Sequence, residues 1–478
     1  MQIFSTFQGF LILAGYAVVA SLIIWFFSRG FSFTKIGFLI AGGKVGAVPA
    51  AFSIAAAWIW APALFVSAEK AYTQGWVGLF WFLVPNVACL VLFSFFARKL
   101  RVSFPDGITL SGYMRQRFSY RVQVVYLVAF GGLAVCSFAV QLLAGGKIIS
   151  MMSGLPYFWV TVLLAVIPVG YSLYSGLKAS IISDFLLMVV MLVIGTGIVS
   201  WTILVGGGPE VVMKGLNGKS GTYDSLFSGD GLNVFYTFGI PVTIGLLSGP
   251  FGDQSFWQRA YAVKKESVQL SFLLAAFVFA LVPFSLSMLG FLAAGGGLKI
   301  NNTAQVNIET VLHFLPGWVS VPFLYLLLAG LVSTLDSNLS ALSSLFGHDV
   351  LSIVKPGIEH GRRDVSRYSK WAMAALVVGG IAIANIPGLT ILYLFLFYGT
   401  LRASTFLPTI ITLLKKGVSE KGMFWGILIS LLGGLPTFAY GNLYKIPPAI
   451  IGGSLFTVLA SGIIVFLASI GKKESRES

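Results

Sequence analysis

Apolar stretches of about 20 residues follow one another along the sequence, with short polar segments between them. A bilayer core about 30 Å thick takes about 20 apolar residues as a helix. A strand with open edges would leave backbone N–H and C=O groups unpaired in lipid, so each stretch is predicted to be a helix. The pattern predicts thirteen spans, near residues 8–27, 46–69, 77–97, 122–145, 156–175, 179–204, 234–251, 268–294, 318–345, 369–386, 389–413, 423–440 and 447–470.

Composition agrees with this pattern. Hydrophobic residues make up 57% of the 478 residues and charged residues only 10%, whereas soluble domains carry about 25% charged residues. The sequence therefore predicts an all-α polytopic membrane protein. Cys89 and Cys136 both lie inside apolar stretches, so neither a disulfide nor a zinc site is expected.

The formal net charge of +15 is distributed in alternate loops. Basic residues cluster after spans 1, 3, 9 and 11, where Lys44, Arg117, Arg367 and Lys416 are examples. By the positive-inside rule this distribution predicts an N-terminus outside and a C-terminus in the cytoplasm. The expected location is the plasma (inner) membrane. The excess charge is a topology signal, and no nucleic-acid partner is expected.

Prolines are expected to break or kink two spans at corresponding positions. Pro62 cannot donate an N–H group and clashes with the preceding turn, so span 2 is expected to open around Ala56–Ile59. Span 7 contains Gly239-Ile240-Pro241 and Ser248-Gly249-Pro250, and it is also expected to break or kink. The alternative is a pair of proline kinks that serve packing alone.

The broken spans stand in corresponding positions of two groups of five. Spans 2 to 6 and 7 to 11 run in opposite directions, and each group begins with a broken helix, as in many transporters. The predicted organisation is one membrane transport domain, residues 1–478. Within it we expect an extra N-terminal helix and loop (1–45), a first repeat (46–204), an inverted second repeat (234–413) and two C-terminal helices with a tail (422–478).

Span 9 carries polar residues that lipid should exclude. Ser333, Ser337, Ser340 and Ser344 recur at helical spacing, which predicts a polar stripe facing the bundle. Such hydroxyls can serve helix packing alone. Together with carbonyls freed at the opening of span 2, however, the hydroxyls of Ser333 and Thr334 would offer neutral oxygen ligands. This set suits a monovalent cation better than calcium, which usually takes more carboxylates.

Three charged residues also lie inside predicted spans. Asp184 is a candidate to hold a departing cation or a proton, the alternative being an interfacial pair with Lys178. Arg402 either pairs internally with Asp336 or faces an anionic substrate.

Trp58 and Trp60 flank the expected break in span 2, where they either line a solute cavity or only pack. The residues predicted to line the solute path are Ser53, Trp58, Trp60, Gly249, Asp336 and Arg402.

These residues carry a resemblance to the sodium:solute symporter family, over approximately residues 30 to 415. The run Ser333-Thr334-Leu335-Asp336-Ser337 resembles the family signature on its ninth span. Tyr174-Ser175-Gly176-Leu177 leading to Ser183-Asp184 resembles an aromatic-Gly-Gly segment ahead of a Thr-Asp pair. Asp253-Gln254 and Gln258-Arg259 resemble an inner Gln…Gln-Arg motif.

The resemblance implies a LeuT-like core of two inverted five-helix repeats with broken first helices. It also implies a sodium site formed by five residues: the backbone carbonyls of Ala56, Ile59 and Gly330 with the hydroxyls of Ser333 and Thr334. Asp184 matches the carboxylate associated with sodium on its inward route. Gly249 and Ala63 stand where sugar-carrying relatives have an aromatic residue and a glutamine, so sugar transport is not expected. The segments 55–61 and 253–259 look most like the urea-transporter branch.

The predicted function is sodium-coupled symport of a small polar organic solute, with a urea-like leaning, by alternating access. Alternatives are proton coupling, an amino acid or monocarboxylate as the solute, and, in another class, a channel or a transporter-like sensor. No enzyme is expected, since the sequence has no nucleophile–base set and no HExxH motif. Expected partners are the solute, the bilayer and Na⁺, which is the only metal; no other cofactor is expected.

Overall fold

The computed structural model describes residues 3–28, 34–356 and 361–472, so parts of two predicted loops and of the C-terminal tail lie outside the described residues. Within these ranges the chain is helical, and its β structure is one isolated bridge between Val45 and Val263. The α-helices are α1 (Thr6–Ser28), α2 (Lys35–Ile40), α3 (Ala47–Trp58), α4 (Ala61–Ser103), α5 (Leu110–Arg117), α6 (Tyr120–Ser153), α7 (Tyr157–Val205), α8 (Pro209–Lys214), α9 (Gly229–Val234), α10 (Ile240–Leu247), α11 (Gln254–Ala262), α12 (Val268–Gly295), α13 (Val306–Phe314), α14 (Ser320–Ser344), α15 (Leu351–Val354), α16 (Arg362–Ala384), α17 (Ile391–Leu414), α18 (Glu420–Leu443) and α19 (Pro447–Ala468). The all-α prediction is confirmed.

Ten helical segments among the described residues are long and apolar enough to cross a bilayer, which indicates an integral membrane protein. The predicted number of thirteen spans is not confirmed. Part of the difference lies in how the helices are divided, because α4 joins the second half of span 2 to span 3 in one helix of 43 residues. The first half of span 2 is α3, which has only 12 residues.

Two glycines bend the longest helices. In α4, Gly75 has φ 58° and ψ −154°, and in α7, Gly176 has φ 60° and ψ −161°. This combination of angles is open essentially to glycine alone. The backbone also passes close by, since a Cβ on Gly75 would lie 2.4 Å from the Leu216 carbonyl oxygen and one on Gly176 would lie 2.5 Å from that of Phe38. The kinks thus divide spans 2 and 3, and spans 5 and 6, without a loop.

Span 2 is broken, two residues from the centre of the expected opening. Helix α3 ends at Trp58, Ile59 and Trp60 have extended or irregular backbone angles, and α4 begins at Ala61. Pro62 occupies the first turn of α4, where its missing N–H costs nothing. The break therefore precedes the proline directly.

Span 7 is broken at one of the two predicted places, and at the other it continues as a helix through a π-helical turn. A π-helical turn covers Phe235–Gly239, and α10 then begins with Pro241 in its first turn. Helix α10 ends at Leu247 and α11 begins at Gln254, so the Ser248-Gly249-Pro250 segment separates them.

Helix α14 lies at the centre of the bundle, packed against α3, α6, α7, α11 and α16. Ser333, Ser337, Ser340 and Ser344 are all buried. The predicted polar stripe therefore faces the protein interior, as expected. The break between α3 and α4 is buried in the same region, because Ile59 and Trp60 are almost fully excluded from solvent.

Candidate functional site

Thr334 of α14 meets the broken backbone of span 2. Its Oγ1 donates to the carbonyl oxygen of Ile59 at 3.0 Å and also lies 3.2 Å from that of Gly330. Because the helix stops at Trp58, the Ile59 carbonyl lacks the regular helical partner it would otherwise have. Three of the five predicted sodium ligands therefore converge on one point.

The other two predicted ligands adjoin this point but already hold other partners. The Ser333 hydroxyl donates to Oδ1 of Asp184 at 2.5 Å. The Ala56 carbonyl accepts the Ile59 N–H at 3.1 Å in the last turn of α3. Because Ser333 donates its proton to the carboxylate, the lone pairs of its oxygen remain available for a cation.

Asp184 is fully buried and paired with Arg259 of α11. Arg259 Nη2 lies 2.8 Å from Oδ2 of Asp184, and the Ser53 hydroxyl donates to the same oxygen at 2.7 Å. Arg259 Nε in turn donates to Ser53 Oγ at 2.9 Å. The buried partner of Asp184 is thus Arg259, whereas Lys178, the alternative partner considered from the sequence, is exposed. Ser53, expected to line the solute path, belongs instead to this ion-pair network.

The serine stripe of α14 faces the polar side chains of α11 in antiparallel order. Ser337 accepts from Arg259 Nη2 at 2.8 Å, and Ser340 lies 3.4 Å from Oε1 of Gln258. Further along α14, the Ser344 hydroxyl accepts from Gln254 Nε2 at 3.3 Å. The α11 segment that carries Gln254, Gln258 and Arg259 therefore packs against α14, the helix with the residues that resemble the family signature.

Two amides stabilise the broken region from α6 and α14. The N–H of Ala61, the first residue after the break, donates to Oε1 of Gln141 at 2.7 Å. Asn338 Nδ2 donates to the Thr334 carbonyl at 2.9 Å and to Ser137 Oγ at 3.1 Å. Neither amide was among the predicted site residues, although a glutamine inside an apolar span is itself a signal of a buried polar contact.

Arg402 is held by aromatic rings on one side of a small cavity. Its guanidinium carbon lies 4.6 Å from the ring centre of Tyr398, 5.2 Å from that of Trp60 and 5.3 Å from that of Trp58. The nearest carboxylate is Asp253, with Oδ2 at 3.8 Å from Nη2. Thr334 lines the same cavity, so the cation junction and the Arg402 cavity share a wall.

Two predictions about Arg402 and its surroundings need correction. The pair between Arg402 and Asp336 is wrong, because Asp336 accepts instead from the Ser172 hydroxyl of α7. Asp336 is also absent from the lining of the Arg402 cavity. It lies on the side of α14 that packs against α7, whereas Ser337 and Asn338 lie on the cavity side.

The remaining candidates are brought to the cavity. Trp58, Trp60 and Arg402 line it directly. Gly249 lies beside it, since a Cβ there would come within 2.3 Å of Trp58 Cη2 and 3.2 Å of Arg402 Nη1.

Membrane helices that break where buried polar groups converge are typical of secondary transporters. The model of the sodium:solute symporter family matches residues 38–430, and the chain belongs to this family. Family membership confirms the predicted resemblance and the prediction of a transporter rather than an enzyme.

Individual relatives are distant in sequence. A urea-proton symporter of Oryza sativa subsp. japonica is 25% identical over 452 residues, which are 86% of this chain and 62% of the rice protein. The chain thus spans under two thirds of that relative. A sodium/pantothenate symporter of Haemophilus influenzae is 25% identical over 407 residues, 81% of each chain.

The fold is confirmed by a solved structure. A Na⁺-coupled sialic acid symporter, in a substrate-bound outward-open state, superposes with a TM-score of 0.77 at 15% identity. The superposition covers 96% of this chain and 97% of the other. The two repeats with broken first helices are therefore those of the LeuT-like fold.

Proposed function

We propose that this protein is a secondary active transporter that couples sodium to the uptake of a small polar organic solute by alternating access. The observation that carries the proposal is the meeting of the Ile59 and Gly330 carbonyls with the Thr334 hydroxyl at the break in span 2. In this position a sodium ion would bind to the break that follows α3 and to α14. Its binding would order the region that forms one wall of the solute cavity.

The predicted ligands have complementary roles in this proposal. Ile59, Gly330 and Thr334 supply oxygens that already lie together, and Ala56 and Ser333 complete the set when the α3 terminus adjusts. Asp184, hydrogen-bonded to Ser333, gives the ion a carboxylate on its way to the inner side. Arg259 holds that carboxylate in place through the ion pair, and its positive charge offsets the negative charge of Asp184.

The buried charges near the site support a monovalent cation. With all three carboxylates ionised, Asp184, Asp253 and Asp336 contribute −3 and Arg259 and Arg402 contribute +2, and all five side chains are buried. The sum is −1, and an uncompensated charge in a membrane protein interior is costly. One bound Na⁺ brings the sum to zero.

Proton coupling is the second candidate, on a separate observation. Oδ2 of Asp336 is buried and has no hydrogen-bond partner among the described residues. A proton on this carboxylate would also neutralise the net charge. The rice relative is named a urea-proton symporter.

The proposed solute is urea-like. Support comes from the names of several relatives as urea transporters. Other relatives are named for pantothenate and proline, so a carboxylate-bearing solute is the alternative.

For the topology we propose the plasma membrane with the N-terminus outside and the C-terminus in the cytoplasm. The basic residues that cluster in alternate loops support this orientation, and membership of the symporter family supports the plasma membrane.

The deciding experiment is uptake into proteoliposomes driven by one gradient at a time. We expect accumulation of [¹⁴C]urea with an inward sodium gradient at equal pH, and none with an inward proton gradient in sodium-free buffer. Accumulation by the proton gradient alone would favour proton coupling, and the same vesicles tested with [¹⁴C]proline, [¹⁴C]acetate and [¹⁴C]glucose would identify another solute class.

A further inference from the structure

The Arg402 cavity contains several buried donors without acceptors. Arg402 is 3% exposed, and neither its Nε nor its Nη1 has a hydrogen-bond partner among the described residues. The same holds for the indole Nε1 of Trp58 and of Trp60. Each buried donor left without a partner costs about 1–3 kcal/mol. The donor set indicates a solute that brings an acceptor oxygen.

The aromatic rings around Arg402 exclude a cationic solute. Trp58, Trp60 and Tyr398 form the kind of cage that binds ammonium groups, but here the guanidinium occupies it, at 4.6 to 5.3 Å from the ring centres. A second cation would meet the positive charge of Arg402 in a low-dielectric region. The ligand is therefore not a quaternary ammonium compound.

Asp253 places a hydrogen-bond acceptor opposite Arg402. Its Oδ1 accepts the N–H of Ser255 at 2.8 Å, which caps α11 and fixes the carboxylate. Its Oδ2 is directed to Arg402, but the 3.8 Å separation is beyond hydrogen-bond distance. The two groups together are neutral. A solute between them meets one charged donor and one charged acceptor.

The space at this point is narrow. The cavity measures about 10 Å³, close to the volume that one water molecule needs. A solute therefore enters only when the aromatic side chains move apart, and a small planar molecule needs the smallest displacement. Gly249 contributes here, because any side chain would collide with Trp58.

We propose that Arg402 and Asp253 are the specificity-determining pair for a small neutral amide, whose carbonyl oxygen accepts from Arg402 while its N–H donates to Asp253. This inference rests on the proposed transport function and names the chemistry of its solute. An amide carries both groups on adjacent atoms of one plane. A carboxylate of the same size would satisfy Arg402 but would be repelled by Asp253.

The proposal is tested by equilibrium binding to purified protein in detergent, with [¹⁴C]urea as the probe and acetamide and acetate as isosteric competitors. For the wild-type protein with sodium we expect acetamide to compete at least tenfold better than acetate. Arg402→Gln should weaken urea binding at least tenfold. Asp253→Asn keeps an N-cap side chain on α11 and should weaken acetamide while strengthening acetate, since the repulsion is removed.

A purely structural role of Asp253 would move both competitors in the same direction, and that result would overturn the proposal. Tighter binding of acetate than acetamide to the wild-type protein, or no binding of urea and acetamide, would also overturn it. The double variant Arg402→Gln/Asp253→Asn removes one positive and one negative charge, so the net buried charge is unchanged and neither partner is left as an unpaired charge that could prevent folding. Lys370→Gln, on the exposed face of α16, is the control. Sodium-induced thermal stabilisation, measured on the same samples, reports the cation site independently.

Discussion

The hydroxyl of Thr334, on α14, donates at 3.0 Å to the backbone carbonyl of Ile59, which lies in the gap between the two halves of span 2. The two residues are 275 positions apart in the sequence and belong to different repeats. A side chain of the second repeat thus satisfies the backbone of the first at the point where helical hydrogen bonding fails. In the proposed transport cycle a sodium ion would replace this single hydrogen bond with several ligand contacts.

We therefore expect Thr334→Val, which keeps the shape and removes the hydroxyl, to raise the sodium concentration for half-maximal uptake at least tenfold. With Ser333→Ala added, sodium-stimulated uptake should be abolished while the protein remains folded. The measurement is [¹⁴C]urea uptake by proteoliposomes against sodium concentration. Thr457→Val is the matched control, because Thr457 is also buried and bonds within its own helix, α19. Sodium dependence that is unchanged in the double variant would refute the assignment.

The ion pair between Asp184 and Arg259 should behave as a unit. Both side chains are buried, and removing one partner of such a pair typically costs about 3–5 kcal/mol because the other charge stays unpaired. We expect Arg259→Gln to lower the denaturation midpoint strongly, and Asp184→Asn added to it to restore part of the loss. The midpoints of the purified variants in detergent test this. Equal or additive losses in the double variant would show that the pair is not coupled.

One methyl group added at the kink in α4 is expected to destabilise the protein strongly. Gly75→Ala would place a Cβ 2.4 Å from the Leu216 carbonyl oxygen in a backbone conformation that costs non-glycine residues about 1–3 kcal/mol. We expect a lower denaturation midpoint and less correctly folded protein. Gly131→Ala in α6 is the control, because no heavy atom lies within 4 Å of the position that its added methyl group would take. A helical glycine there should tolerate or gain from alanine. Equal midpoints for the two variants would contradict the prediction.

The break in span 2 was predictable in part, because Pro62 removes a backbone donor wherever the chain goes. Proline alone does not decide the outcome, since Pro85, Pro168 and Pro283 lie inside continuous helices. The exact position of the break, at Ile59 and Trp60, needed the structure. The serine stripe of α14 was predictable for a similar reason, since four hydroxyls at helical spacing have to face away from lipid.

The partners of the charged residues were not predictable in the same way. Asp184 and Arg259 are 75 residues apart, and their pairing depends on where α11 turns after the break in span 7. Arg402 was expected to meet either Asp336 or a substrate, but residues 334 to 338 of one helix divide between two faces. Asp336 therefore faces α7 while Asn338 faces the cavity. The sequence pattern identifies which charged residues are buried. Which of the possible partners each of them meets depends on how each helix is rotated about its axis.

The last prediction concerns Asp336, because its carboxylate makes the summed charge of the buried side chains near the site negative. Asp336→Asn changes the charge summed over the five side chains near the site, Asp184, Asp253, Arg259, Asp336 and Arg402, from −1 to zero, so a bound sodium ion would leave an uncompensated positive charge. Asparagine still accepts from Ser172, which limits the structural change. We expect the sodium concentration for half-maximal uptake to rise at least tenfold, which corresponds to about 1.4 kcal/mol. Asp364→Asn is the control, since this carboxylate pairs with Lys355 at the surface and is 40% exposed. An unchanged sodium concentration for half-maximal uptake would contradict the charge-balance argument. Proton-driven uptake by the wild-type protein that is lost in Asp336→Asn would show instead that Asp336 carries the coupling proton.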